Sequence, residues 1–589
     1  MTVSADPILL EVYRGKLDVI ANEMEATLLR SSYSSLIKEA LDATAALFDQ
    51  HGRTLAQADA LPAHLGVMVA GMERVVSAYP AGVAAPGDVY IMNDPYDGGT
   101  HLPDFLLVVP VFSRGVLVGY AATMSHHQDV AGSAPGSTAP DAVDVHAEGL
   151  RIPLMKLSDD GVTNDTLLTV ISSNTRVPKN LQGDLNAQRA ACATGARRLT
   201  EICDEWGPEV VADLGEELMD YAERLTRISI ENLPDGRYGF VDFLDNDGVG
   251  DEQIAIRVSV EIKGSELHCD FTGTDEQAKG AINCVESSTL AGVYFVVRSL
   301  TGAHIPNNAG CYRPVSVTLP PGSIVNCEYP APVGARAITM KRVVDALFGA
   351  LAQVAPSHVP AASSGQVNIM YVGGIDEASG EHYVGFIGVP LPGGMGARPT
   401  KDGIDVVETD VTNNLHYPTE ACESDLPMRI ESIDLWTDSG GAGKFRGGLG
   451  YTSEVVWLGG EALVTIRRDR HRFAPWGLAG GHSGWPCRST LLKVDGTIEE
   501  LPSKAVFAVN RGDRLRIWTA GGGGYGPPTE RDPEAVLADV LDGRVSITCA
   551  EQVYGVAVSG DEVGLSRTRA LRSTQDERLT PEIVWGFGF

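Results

Sequence analysis

The spacing of apolar residues near the start of the chain predicts one long helix. Apolar residues recur every three or four positions at Leu10, Tyr13, Leu17, Ile20, Met24 and Leu28. This spacing places them on one face of a helix. Asp6 and Pro7 precede the run and suit the N-cap and the first helical turn. We therefore predict a helix that buries a single face.

Alternating apolar and polar residues predict two β-hairpins after this helix. In the first, ATAALFD and TLAQADA flank the turn QHGR, and in the second, DFLLVVPVF and VLVGYAATM flank Ser113-Arg114-Gly115. A turn centred near Arg114 places residue 104 opposite residue 124, and residue 102 opposite residue 126. The second hairpin is therefore expected to bring the segments HLPD and SHHQD together.

The remaining pattern predicts a multidomain α+β (mixed α/β) fold. Helical periodicity over residues 185–230 gives way to β-rich segments, returns near residues 340–355, and is followed by a glycine-punctuated, strand-like region. We predict four units with these bounds: an N-terminal unit of helices and antiparallel hairpins (1–235), a central α/β unit (236–430), a glycine-rich β unit (431–530) and a short helical tail (531–589).

Composition and charge narrow the possible function classes. The chain has 77 acidic and 46 basic residues, which give a net charge of -31. This charge disfavours nucleic acid and anionic membrane surfaces as partners. The start of the chain lacks the pattern of a signal peptide, and no stretch reaches the roughly 20 apolar residues of a membrane span, so a cytoplasmic location is expected. Nine scattered cysteines without a C-x-x-C pair are typical of reduced core thiols.

Candidate metal ligands lie at the far end of the second hairpin. The segment NDPYDGGTHLPD, residues 93–104, begins with turn-forming residues and ends with His101 and Asp104. If the hairpin register is even, Asp104 and His126 share one face of the sheet, whereas His127 points to the other. Imidazole and carboxylate ligands without thiolates suit Mn(II), Fe(II) or Zn(II). The alternative is a polar turn whose side chains cap the backbone.

Several motifs resemble the hydantoinase B/oxoprolinase family. They include residues 93–104 and SHHQDVAG, together with IKEALDATAALFDQHGR, PAHLG, EGLRIP, GDLNAQ, DFTGT, RPVSV, DSGGAGKFRGGLG, PWGLAGG and GGGGYG. The resemblance extends over essentially the whole chain. It implies one divalent transition metal (Mn, Zn or Fe) held by Glu39, His101, Asp104 and His126. His127 and Asp129 would then orient the ligands or move protons; polar residues at a strand end are the alternative interpretation.

The resemblance also implies a second polypeptide. Members of this family work with a hydantoinase A-like ATPase that uses ATP and Mg, and an α2β2 heterotetramer is expected. This chain has no G-x-x-x-x-G-K-[ST], and GGGGYG lacks the lysine and hydroxyl of a phosphate loop, so we interpret it as a close-packed turn. ATP chemistry is therefore expected on the partner.

The implied activity is ATP-dependent opening of a small cyclic amide such as a hydantoin, 5-oxoproline or a lactam. The partner would phosphorylate the amide oxygen, and water activated at the metal of this chain would attack the activated carbon. Two alternatives remain open from the sequence. One is a component of an ATP-dependent ketone carboxylase of the acetone or acetophenone type, and the other is a non-catalytic scaffold for the ATPase.

Overall fold

A seven-stranded antiparallel sheet forms the centre of the N-terminal part of the computed structural model, which describes residues 6–367, 369–377, 379–387 and 392–575. The strand order is β2-β1-β5-β4-β3-β6-β7. The strands are β1 (Ala43–Asp49), β2 (Thr54–Gln57), β3 (Val89–Met92), β4 (Asp104–Ser113), β5 (Val116–His126), β6 (Met155–Asp159) and β7 (Val162–Thr163). Both predicted hairpins are confirmed, as β1–β2 and β4–β5.

Helices cover both faces of this sheet. The long helices α1 (Pro7–Ser31) and α5 (Pro178–Trp206) pack on one face, and α3 (His64–Ala78) packs on the other. The predicted start of α1 is confirmed, since the Asp6 carboxylate accepts the Ile8 N–H at 2.9 Å. The other helices of this region are α2 (Ser35–Lys38), α4 (Asp165–Ser173) and α6 (Pro208–Glu231).

A four-stranded sheet and two helices form a second core. The order is β11-β10-β9-β8, with only the β10–β11 pair parallel. Its elements are β8 (Gly236–Leu244), β9 (Ile254–Lys263), β10 (Glu266–Asp270), β11 (Val315–Thr318), α7 (Glu286–Thr301) and α8 (Arg336–Leu351). Helix α8 confirms the helix predicted near residues 340–355 and packs on β8, β9 and α7. Since α7 also contacts α3, this core joins the first sheet.

Two further antiparallel sheets share a third core. One has the order β13-β12-β16-β19 and the other β14-β15-β20-β17-β18. Their elements are β12 (Ile369–Ile375), β13 (His382–Phe386), α9 (Thr419–Asp425), β14 (Met428–Leu435), β15 (Tyr451–Trp457), β16 (Ala462–Arg467), β17 (Arg488–Leu492), β18 (Ile498–Glu500), β19 (Lys504–Val509) and β20 (Arg514–Trp518). Leu36 and Ala40 belong to this core, so the α2 region lies against β12 and β13.

The glycine-rich segment at residues 521–524 packs against other glycine segments. A Cβ atom at Gly522 would lie 2.1 Å from the Met395 carbonyl oxygen, and one at Gly394 would lie 1.8 Å from the carbonyl oxygen of Gly448. Only glycine permits such backbone contacts. Close packing is confirmed, but the segment is extended and donates and accepts backbone hydrogen bonds, so the predicted turn is wrong.

The helical tail begins where the sequence predicts, with Asp532 capping α10 (Pro533–Leu541). It continues with α11 (Ile547–Gln552), β21 (Val558–Ser559), β22 (Glu562–Val563) and α12 (Leu565–Gln575). The nine cysteines are thiols, and eight of them are buried. Across the described ranges, every helix is too short or too polar to cross a membrane. The mixed α/β multidomain class is confirmed by this architecture, while the exact domain boundaries stay predictions.

Candidate metal centre

The β4–β5 hairpin places Asp104 directly opposite His126. The chain turns tightly at Arg114 and Gly115, which have φ angles of 51° and 81°. Next to this turn, a bulge shifts the β4–β5 register between Val111 and Phe112. The register therefore differs by two residues from the prediction, which placed residue 104 opposite 124. A shift of two preserves the face of every side chain, so the predicted pairing of Asp104 with His126 on one face is confirmed.

The segment before β4 fixes the position of His101. Asp94 accepts the Tyr96 N–H at 3.0 Å and caps the short 3-10 helix Pro95–Asp97. Buried Asn93 donates to the carbonyl oxygens of Leu102 and Leu150 and accepts the Ile152 N–H. These bonds anchor both ends of the NDPYDGGT turn. They hold the following HLPD segment in one geometry at the edge of the sheet.

Three potential ligand atoms converge at this edge. His101 Nδ1 lies 3.0 Å from Asp104 Oδ2, and His126 Nδ1 lies 3.2 Å from Asp104 Oδ1. One ligand atom from each residue falls within 4.8 Å of the other two, and all three residues are buried, with exposures of 2%, 1% and 6%. Elsewhere in the described parts of the chain, no other group of three His, Cys, Asp or Glu residues converges in this way.

The cluster fits a divalent cation by the chemistry of its donors. Two imidazoles and one carboxylate form the mixed nitrogen and oxygen set that Mn(II), Fe(II) and Zn(II) accept. His101 Nδ1 lies 3.0 Å from Asp104 Oδ2 but is without a satisfactory hydrogen bond among the described residues. A buried ring nitrogen without a hydrogen bond is costly unless another group binds it. The residues present therefore fit a bound metal.

Charged and polar neighbours keep Asp104 ionised. Arg336, at the start of α8, and Thr100 both donate to Asp104 Oδ2, the latter at 2.6 Å. Although burial opposes ionisation, His101 and the Arg336 guanidinium hold the pKa of Asp104 well below its usual range. Burial and the Arg336 charge likewise hold the pKa of His101 well below its usual value. Near neutral pH this favours a carboxylate and a neutral imidazole, the forms that bind metal.

The three residues line a partly enclosed cavity of about 60 Å³ between the first sheet, α8 and β12. Sequence reasoning missed four residues that line it: Asp42, His64, Arg336 and Tyr371. The Tyr371 hydroxyl lies 3.3 Å from His126 Nε2. Two of the four carried a sequence signal, since Asp42 lies in the IKEALDATAALFDQHGR motif and His64 is the histidine of the PAHLG motif. The others come from chain segments whose approach to the hairpin depends on the tertiary fold.

Glu39 is not among the atoms that converge. It follows α2, is half-buried, and its backbone N–H donates to Ser35. The carboxylate that this segment places at the cavity is Asp42. The backbone carbonyl of Asp42 also accepts the His126 N–H at 3.1 Å, so this segment is tied to β5. The assignment of Glu39 as a ligand stays a prediction.

His127 and Asp129 lie next to the cluster in sequence but face other partners. His127 packs its ring against Phe105, with centroids 4.5 Å apart, and its Nε2 lies 3.0 Å from Gln188 Oε1. Asp129 accepts hydrogen bonds from the backbone N–H groups of Ala131, Gly136 and Arg176 and pairs with the Arg176 guanidinium at 2.7 Å. Both side chains thus hold the loop and strand behind the cluster.

Comparisons with known proteins identify a matching family model and similar protein chains. The family model for Hydantoinase B/oxoprolinase matches residues 6–528. The chain is 36% identical to the B component of a putative D-/L-hydantoinase from Pseudomonas sp. (strain NS671), across 96% of this chain and 98% of that protein. It is 34% identical to the β component of the caprolactamase of Pseudomonas jessenii, across 95% and 97% of the two chains.

Solved structures share the architecture. The crystal structure of the ATP-dependent caprolactamase from Pseudomonas jessenii contains a chain that matches with a TM-score of 0.90 and 33% identity, over 97% of this chain and 100% of that chain. A nucleotide-free acetone carboxylase structure also gives a TM-score of 0.90, at 20% identity, over 99% of this chain and 85% of that chain. The second likeness concerns the fold alone.

Proposed function

Since this chain belongs to the hydantoinase B/oxoprolinase family, we propose that it is the metal-dependent component of an ATP-dependent enzyme that opens cyclic amides. The observation that carries the proposal is the buried His101, Asp104 and His126 cluster at a partly enclosed cavity. Relatives named as subunits of a hydantoinase and a caprolactamase support a cyclic amide substrate. They also support a separate ATPase subunit as the partner, for which we propose an α2β2 assembly.

His101, Asp104 and His126 are the proposed ligands, and the family resemblance adds Glu39 as the fourth. A divalent cation bound there would polarise a substrate oxygen and lower the pKa of a water in its coordination shell. Arg336 and Thr100 keep Asp104 anionic, and Tyr371 lies within hydrogen-bonding distance of the far nitrogen of the His126 ring, which fixes the orientation of that ring.

The hydrogen bonds of His127 and Asp129 favour a supporting role over proton transfer for both residues. His64 is better placed to accept a proton. It lines the cavity, its Nδ1 has no hydrogen-bond partner in the described structure, and burial lowers its pKa, so that it is neutral near pH 7. We therefore propose His64 Nδ1 as the atom that takes a proton from the attacking water.

The proposed reaction consumes one ATP and two waters. The partner transfers the γ-phosphoryl group of ATP to the amide oxygen, which gives an imidate phosphate and ADP. Water adds to the activated carbon, and the ring C–N bond breaks as the nitrogen takes up a proton, which leaves an acyl phosphate. A second water releases phosphate and the ring-opened amino acid.

Co-expression with an ATPase subunit of the same family tests the proposal. We expect ATP hydrolysis coupled to ring opening when hydantoin, 5-oxoproline and caprolactam are supplied in turn, without bicarbonate. Ketone turnover that requires bicarbonate would instead identify a carboxylase component. An ATP-coupled reaction that is unchanged in Asp104→Asn would identify a scaffold. Ring opening by this chain alone without ATP would contradict the two-subunit mechanism.

A further inference from the structure

Two buried arginines lie beside the metal cluster. Arg336 begins α8, and Arg467 ends β16, in the neighbouring sheet. Their exposures are 7% and 3%. Both line a second small cavity, of about 20 Å³, together with His101 and the residues that open α8. This second cavity shares His101, Arg336 and Ile369 with the metal cavity, so the two adjoin.

Arg467 has hydrogen-bonding capacity that the protein does not use. Its Nη1 donates to the Gly334 carbonyl oxygen, but Nε and Nη2 have no hydrogen-bond partner among the described residues. No carboxylate in the described ranges lies within ion-pair distance of this guanidinium. The free Nε and Nη2 donors form the edge with which arginine grips two oxygens of one anion. Leaving such donors unpaired in the protein interior is costly, so a ligand is their natural partner.

The start of α8 supplies further attraction for an anion. The Ala335 N-cap position provides no side-chain hydrogen bond to the first turn. The N-terminal turn of this 16-residue helix carries the positive end of the helix dipole, although the Arg336 and Ile338 N–H groups already donate to the carbonyl oxygens of Val333 and Ala335. Gly334, Ala335 and Ala337 line the same cavity as Arg467. Asp104 pairs with Arg336, whereas the Arg467 guanidinium has no ion-pair partner in the described ranges.

We propose that Arg336 and Arg467 form an oxyanion subsite that holds the phosphoryl group of the substrate during ring opening. This inference rests on the proposed function. Hydantoin and caprolactam, the rings in the names of two relatives, carry no carboxylate, whereas every substrate in the proposed reaction acquires a phosphoryl group. A phosphoryl group has three terminal oxygens, enough to meet the Arg467 edge and the α8 turn together. The subsite would therefore hold the activated carbon beside the ligand cluster.

Binding of inorganic phosphate to the metal-loaded full chain tests the subsite directly. Calorimetric titration should show phosphate affinity falling roughly 100-fold in Arg467→Met, since two charge-assisted hydrogen bonds are lost. Arg467→Lys keeps the charge but loses the two adjacent N–H donors, so its phosphate affinity should fall about tenfold. Arg511→Met, which removes an exposed arginine, is the control and should bind as the wild type does. Unchanged phosphate affinity in Arg467→Met would overturn the proposal.

Thermal unfolding separates a binding role from a structural one. Because Arg467→Met removes unpaired buried donors, we expect its melting temperature without phosphate to equal or exceed that of the wild type. Phosphate should raise the melting temperature of the wild type and leave that of the variant unchanged. A lower melting temperature in Arg467→Met, with phosphate stabilisation retained, would show that Arg467 only supports the fold and would overturn the proposal.

Turnover with the ATPase subunit distinguishes the two sources of an oxyanion. A phosphoryl subsite predicts that Arg467→Met loses kcat/KM to a similar degree with 5-oxoproline and with caprolactam. A loss confined to 5-oxoproline would reveal a site for the substrate carboxylate and would overturn the phosphoryl assignment. If the wild-type complex opens no ring, the proposed function fails, and the phosphate titration still decides whether the two arginines bind an oxyanion.

Discussion

The middle and the start of α8 lie in two buried charged environments that differ in charge balance. In the middle of the helix, Arg342 contacts Asp469 at 2.7 Å and Asp345 at 3.3 Å. Arg470 contacts Asp345 at 2.6 Å, and Lys504 contacts Asp469 at 3.1 Å. With Asp242, three basic and three acidic side chains meet. At the N-terminal end, Arg336 pairs with Asp104, and Arg467 lies nearby without an ion-pair partner in the described ranges.

We infer from this difference that the central charged network stabilises the fold, whereas the charged residues at the N-terminal end of α8 bind a ligand. The central network joins α8 to residues 242, 469, 470 and 504, from three other parts of the chain, and each of its basic side chains contacts at least one carboxyl group. The N-terminal environment adjoins two cavities and gathers three potential metal ligands, and among the described residues Arg467 has two nitrogens without a hydrogen bond, whereas Arg342 and Arg470 of the central network each lack one only at Nε. Natural proteins accept such unsatisfied groups mainly where function requires them.

The largest expected effect comes from Asp104→Asn. This change removes the carboxylate that both histidines and Arg336 share, so metal affinity and ring-opening turnover should fall by more than about 100-fold, which exceeds the loss typical of outer partners of a ligand. Metal analysis and ATP-coupled turnover of the complex measure it. If Asp104→Asn kept its bound metal and full activity, the proposed site could not lie at the N-terminal end of α8.

The matched change in the central network is Asp469→Asn, at an equally buried carboxylate. Arg342 and Lys504 would lose their shared counter-charge, so the free energy of unfolding should fall by about 3 to 5 kcal/mol. Urea unfolding measures this, and the folded fraction should retain its metal. If Asp469→Asn lost its metal while its stability was unchanged, the central network would bind the ligand, which contradicts the stabilising role assigned to it.

Glu39→Gln sharpens the N-terminal side of the comparison. If Glu39 is the fourth ligand, metal affinity should fall by about 10- to 100-fold, as for other supporting groups at metal sites. Asp42→Asn, at the cavity-lining carboxylate of the same segment, is the matched variant and should have the smaller effect. Competition with a fluorescent chelator measures both affinities. A larger loss in Asp42→Asn would move the fourth ligand to Asp42.

Glu148, beside the start of α8, predicts a pH dependence of the free energy of unfolding. Burial raises its pKa to about 8, although the Val333 and Gly334 N–H groups donate to its carboxyl oxygens. A carboxyl whose pKa is raised by folding stabilises the fold fully below its unfolded value near 4.5 and loses that contribution as pH rises through 8. Relative to Glu148→Gln, wild-type stability should therefore fall by up to about 1.4 kcal/mol per pH unit in this window. Equal pH slopes in urea unfolding would contradict this.

Local sequence patterns predicted the elements that carry the site. The α1 periodicity, the two hairpins and α8 follow from side-chain spacing within a single segment, and the even parity of β4 and β5 put His126 with Asp104. The exact register was wrong by two residues, one because the turn comprises only Arg114 and Gly115, and one because the bulge between Val111 and Phe112 leaves no clear sequence signal. GGGGYG was correctly interpreted as close-packed but wrongly as a turn, since its partners are distant glycine segments.

The residues that complete the cavity could not be predicted from the same patterns. Arg336 lies 232 positions from Asp104 and Tyr371 lies 245 from His126, so only the packing of α8 and β12 on the hairpin brings them together. Nothing in the local sequence of Arg467 distinguishes it from the paired Arg470 three positions later. The distinction depends on which carboxylates the tertiary fold places beside each guanidinium.

The central claim is that His101, Asp104 and His126 hold one divalent metal. Metal content per folded chain, measured by mass spectrometry in wild type, His126→Ala and His127→Ala, tests it most directly, because these neighbouring histidines face opposite sides of the sheet. The account predicts one metal per chain in wild type and in His127→Ala, and none in His126→Ala. Metal retained by His126→Ala, or lost from His127→Ala at wild-type stability, would contradict it.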